Sequence, residues 1–98
     1  MEKLETKIGK TATQVYGQGI KMIVRYHETN VVEFDDKEIK LNSGGWFTQT
    51  TKRRMNQASG VYNLGYYVYQ KDGQWITEYK GKLFPWNGDM MTIERGIL

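Results

Sequence analysis

Apolar and polar residues alternate along most of this chain with a period of two, the signature of strands that bury one face. Over 20–27, IKMIVRYH sets Met22, Val24 and Tyr26 on one side and Ile23, Arg25 and His27 on the other. A strand is expected there. After Glu28-Thr29-Asn30 the alternation resumes with Val32 and Phe34 inward, and Asp35-Asp36-Lys37 turns the chain into EIKL, where Ile39 and Leu41 face the core. That pair reads as a hairpin. Residues 11–16 alternate more weakly ahead of the flexible Gly17-Gln18-Gly19, and Asn42-Ser43-Gly44-Gly45 is a loop by composition.

The last third returns to strands. YYVYQ over 66–70 and QWITEY over 74–79 flank Lys71-Asp72-Gly73, whose Asp-Gly step marks a hairpin. KLFPW over 82–86 and MMTI over 90–93 flank Asn87-Gly88, which reads as a second such turn. Pro85 cannot donate to a ladder, so its strand is expected at an edge or at a bend. On alternating strands half of the aromatic residues must be core, and Tyr67, Tyr69, Trp75 and Phe84 are assigned there.

Helical spacing shows in one place. Met55, Ala58 and Tyr62 form a narrow apolar stripe behind Thr50 or Thr51, either of which can cap a first turn. Gly60 weakens a helix by about 1 kcal/mol relative to Ala, so the helix is expected from about Thr51 to Ser59, ending near Gly60 rather than Gly65. The fold class that follows is α+β: a mostly antiparallel, strongly twisted sheet or small open barrel with one short helix. Its 98 residues suit one domain, 1–98, with 1–10 frayed or an edge segment.

Composition supports this picture. Aromatic residues make up 13% of the chain beside 11 glycines and one proline, which favours β structure over a helical bundle. The absence of Cys excludes disulfides and thiolate metal sites, and the single His27 excludes a multi-His centre within one chain. No run reaches the roughly 18 apolar residues of a membrane span, and the start MEKLETKI lacks the apolar region of a secretory signal. No membrane partner is expected, and the location expected is cytoplasmic.

Charge points to a particular segment. The net charge is only +3, yet no acid lies between Glu38 and Asp72, and Lys52, Arg53 and Arg54 equal the whole excess. Thr48, Thr50 and Thr51 stand directly ahead of these cations. A helix N-terminus with unpaired N–H groups, hydroxyl donors and cations describes a phosphate cradle. Cations in a first turn also oppose the helix dipole, by about 0.3 to 1 kcal/mol each, and a bound anion would relieve that repulsion. The blander alternative is a solvated helix face. Arg53 and Arg54 project about 100° apart, so one of them is free to cover Trp46 or a tyrosine, or to face a second subunit in a homo-oligomer. Trp46, beside two glycines, is the best candidate to stack on a ligand. The expected ligand-binding and phosphate-binding set is therefore Trp46, Thr48, Thr50, Thr51, Lys52, Arg53, Arg54 and Asn56.

Little else suggests chemistry. Asp35-Asp36 occupies a turn position where Asp serves local hydrogen bonding, and His27 and Glu28 point to opposite faces of a strand. Phosphate-loop, dinucleotide-binding, EF-hand and zinc-protease motifs are missing. Neither catalytic residues nor a cofactor nor a metal is expected.

The patterns LNSGGW-x-T-x-TTK-x-RMNQ over 41–57 and YH-x-T-x-VV-x-FD over 26–35 make the chain resemble a family of small bacteriophage proteins. The likeness extends from Thr11 to about Trp86. It implies a phage accessory protein acting in the host bacterial cytosol, where one recurring strategy is to counter host defence by sequestering a cyclic or linear nucleotide signal. The leading expectation is thus non-enzymatic binding of a nucleotide or other phosphate-bearing small molecule. The alternatives are a nucleic-acid-binding phage accessory protein and a protein-interaction inhibitor of a host enzyme.

Overall fold

The computed structural model describes residues 13–96. Eight strands and one helix follow in the order β1 (Thr13–Gln18), β2 (Lys21–Tyr26), β3 (Thr29–Phe34), β4 (Glu38–Asn42), α1 (Gln49–Tyr62), β5 (Tyr66–Lys71), β6 (Gln74–Tyr79), β7 (Lys82–Trp86) and β8 (Met90–Glu94). Strands hold 54% of these residues, which sets the class as α+β with strand dominant. They form two antiparallel sheets, β1-β2-β3-β4-β8 and β5-β6-β7, rather than a closed barrel.

The first four strands are a meander; the Asp35-Asp36-Lys37 turn is where the sequence puts it, whereas the first two turns narrow to Gly19-Ile20 and His27-Glu28, with Gly17, Gln18, Thr29 and Asn30 inside strands. At Asp35 the carboxylate Oδ1 accepts from the backbone N–H of Lys37 at 2.8 Å and of Glu38 at 3.0 Å, closing the β3–β4 turn. One departure lies in β3. Val24 pairs with Val32 and Arg25 with Asn30, which leaves Val31 as the extra residue of a bulge. Both Val31 and Val32 are fully buried in consequence, where strict alternation would expose one of them. Ile23, assigned to the face opposite Val24, is also buried, outside the central cluster.

The helix corrects its expected bounds at both ends. Its N-cap is Thr48, in extended conformation, whose Oγ1 accepts from the Thr51 N–H at 3.2 Å; Thr50 and Thr51 already belong to the first turn. At the other end Gly60 stays helical, because Leu64 is buried and Val61 and Tyr62 pack against the core beyond it. Asn63, left-handed at φ 56°, stops the helix, and the Leu64 N–H donates to the Ser59 carbonyl at 2.9 Å.

The Asn87-Gly88 hairpin does not form. Instead β8 leaves β7 and pairs with β4, aligning Ile39 with Ile93 and Leu41 with Met91. Gly88 takes φ 83° directly against the Trp75 indole, where an added Cβ would lie 2.8 Å from ring atoms. The chain therefore folds over Trp75 and crosses to the other sheet, which buries Ile93 in the core. The Asp72-Gly73 hairpin forms as expected, with both residues at positive φ, and Pro85 lies in β7 at a sheet edge. The core spans both sheets and the helix: Val24, Val32, Ile39 and Leu41 of one sheet, Met55 and Ala58 of α1, and Tyr66, Val68 and Trp75 of the other sheet belong to one buried cluster.

Candidate functional site

Three residues of α1 at spacing i, i+4, i+7 face the free edge of β5, since such positions share one side of a helix. Lys52 Nζ donates to Gln70 Oε1 at 2.7 Å. Asn56 Nδ2 donates to the Val68 carbonyl at 2.8 Å while its Oδ1 accepts from the Val68 N–H at 2.7 Å. Ser59 Oγ donates to the Tyr66 carbonyl at 2.7 Å and accepts from the Tyr66 N–H at 3.0 Å. Side chains of the helix thus complete an edge that would otherwise expose unpaired backbone groups.

Above this seam lies an open groove of about 510 Å³, lined by Gln49, Lys52, Arg53, Asn56 and Gln57 of the helix and by 67–70 of β5. Both walls fall inside the acid-free segment 39–71, and among the described residues no carboxylate lines the groove. Tyr67 and Tyr69 stand on one face of β5 with ring centroids 5.9 Å apart and planes inclined by 27°, an offset stack. Tyr67 is 55% exposed.

The cations differ in what they do. Lys52 is buried, its Nζ 4.5 Å from the centre of the Trp75 ring, and burial holds its ammonium pKa below the usual lysine range. Among the described residues neither it nor Arg53 nor Arg54 is paired with a carboxylate. Arg53 is exposed on the groove wall. Arg54 points elsewhere: Nε donates to Thr13 Oγ1 at 3.0 Å, Nη1 donates to Gln57 Oε1 at 3.3 Å, and its guanidinium carbon lies 5.7 Å from the Tyr26 ring centre.

Of the residues expected from sequence, the structure brings Lys52, Arg53 and Asn56 together in the groove. Trp46 lies apart, stacked on His27 at 4.7 Å and 17°. Thr48 caps the helix, and its Oγ1 lies 3.1 Å from that of the fully buried Thr51. Thr50 is half-buried outside the groove lining. Sequence reading missed Tyr67, Tyr69, Gln49, Gln57 and Gln70. For the tyrosines a signal existed: Tyr66 and Val68 alternate with Tyr67 and Tyr69, and only one set could be core. Two cations, several side-chain amides and a pair of aromatic rings, without an acid, suit a planar ligand carrying negative charge.

Elsewhere, the two N–H bonds to Asp35 hold its carboxyl below the usual carboxylate range, the Lys37 bond contributing most. Among the described residues no three His, Asp or Glu side chains gather as a metal site, and no helix is long and apolar enough to cross a membrane.

No curated protein and no solved structure matches this chain. One family model does, and it covers residues 2–93. With that extent of match, the chain belongs to the Kyanoviridae Gp96 protein family, a family of phage proteins.

Proposed function

We propose that this protein binds a phosphate-bearing nucleotide, without turning it over, in the groove between α1 and β5. The observation that carries the reading is the meeting of Lys52 and Arg53 with Tyr67 and Tyr69 in a groove that, among the described residues, no carboxylate lines. Arg53 supplies a planar fork of donors suited to phosphate oxygens, and the tyrosines supply faces for a base. Lys52 is poised for the same purpose, since an anion in the groove would compensate its buried charge. In a phage protein such binding would serve to withdraw a nucleotide signal of host defence in the host cytosol.

The cleanest test is Arg53→Glu, because this side chain is exposed and its loss leaves the core intact. Calorimetric titration with a panel of mononucleotides and dinucleotides should show saturable binding that this change weakens by at least ten-fold, from loss of a charge-assisted contact and added repulsion. Equal affinity of the variant would remove the site from consideration. Mass spectrometry of small molecules released by denaturing protein taken from phage-infected cells identifies the natural ligand. A second reading, binding of single-stranded nucleic acid, is favoured by the open side of the groove beside an aromatic sheet face.

A further inference from the structure

The face of β5-β6-β7 that carries Tyr67 and Tyr69 extends beyond the groove. Cross-strand register places Glu78 and then Leu83 beside Tyr67, and Ile76 and then Pro85 beside Tyr69. The opposite face holds the buried Tyr66, Val68, Trp75, Thr77 and Tyr79, so the tyrosine face is the outward one. Its exposed and half-buried rings and aliphatic groups form a platform, bordered on the β5 side by the exposed Arg53.

We propose that the ligand of this groove carries two bases joined through a phosphate, one base on each tyrosine and the bridging phosphate at Arg53; this rests on the nucleotide-binding reading above. Three features lead there. A pyrimidine is about the size of one phenol ring, so a single nucleotide leaves one of the two offset rings uncovered. Glu78, next to Tyr67 on the sheet, repels phosphate, whereas the helix wall attracts it, so the bases lie over the sheet and the phosphate over the helix. Ile76 and Pro85 continue the apolar surface past Tyr69, leaving the second base unobstructed. A free dinucleotide and a single-stranded nucleic acid both present this unit.

The test compares thymidine monophosphate, the linear and cyclic thymidine dinucleotides, and a short oligothymidylate by calorimetric titration. One of the two dinucleotides should bind about ten-fold tighter than the mononucleotide, the gain expected for a second stacked base. Tyr67→Ala and Tyr69→Ala should each remove that gain, while circular dichroism confirms the fold. No further gain with chain length marks a free dinucleotide as the source, and continued gain marks a single strand. Equal affinity for mononucleotide and both dinucleotides, still lowered by Arg53→Glu, overturns the two-base inference and leaves the nucleotide site standing. Failure of every probe to bind overturns both.

Discussion

Lys52 sits almost out of contact with solvent and, among the described residues, without a carboxylate, so its charge costs the folded state something that Gln70 and the Trp75 ring only partly offset. Lys52→Met keeps the aliphatic stem against Trp75 and removes the charge. Urea unfolding should show the variant at least as stable as the parent at neutral pH, while nucleotide affinity falls. The pH dependence carries a sign. The folded pKa is depressed, so the unfolded state holds the proton to higher pH, and stability rises as pH climbs through the folded pKa towards the ordinary lysine value of about 10.4. That alkaline gain should be absent from the variant. Thr77 is a second buried cost, a fully enclosed hydroxyl with no hydrogen-bond partner among the described residues. Thr77→Val should raise stability by about 1 kcal/mol, read as a higher urea midpoint with unchanged slope. Neither cost was legible in sequence. The cluster of cations was, but which of them reaches solvent depends on the side of the helix each occupies. Arg54 is turned to Thr13 of β1 and Arg53 to the groove, as their angular separation required of one or the other.

At the scale of elements, the helix is best understood as a partner for the edge of β5. Asn56 satisfies both backbone groups of Val68, so Asn56→Ala should cost about 1 to 3 kcal/mol by leaving a donor and an acceptor unpaired. A Ser59→Ala change should act similarly on Tyr66. Gly60 has the opposite prospects: it is helical, exposed, and a Cβ there would meet nothing within 4 Å. Gly60→Ala should therefore stabilise by about 0.4 to 1 kcal/mol, visible as an increased melting temperature. Propensity alone ended the helix at this glycine. Burial of Leu64 beyond it outweighs that penalty, and burial is a tertiary quantity that local sequence does not carry. The strands fared better because alternation is local; it failed at the Val31 bulge, where one extra residue turns two neighbours inward, at Ile23, which is buried on the opposite face, and at Tyr67 and Phe84, which are assigned to the core from sequence and are exposed.

For the whole molecule, the decisive event is the departure of β8 from β7. Asn-Gly between two short β-runs is a hairpin signal, and the residues of the turn contain nothing to contradict it; what does is Trp75, thirteen residues earlier by sequence number, on which Gly88 lies. By crossing over that ring the chain sends Met91 and Ile93 to β4 and ties the two sheets together. It also leaves β7 at an edge, where Pro85 withholds one donor from any strand adding there. Gly88→Ala tests this joint. The added Cβ would stand 2.8 Å from the indole and would have to accept φ 83°. The conformational part is about 1 to 2 kcal/mol and the overpacking about 1 to 3 kcal/mol more. Gly81→Ala is the control, since Gly81 has nearly the same φ of 79° but open space around it. Both variants should lose stability, Gly88→Ala by clearly more, and only Gly88→Ala should shift the tryptophan emission. Equal losses with unchanged emission would mean that the turn does not bear on Trp75.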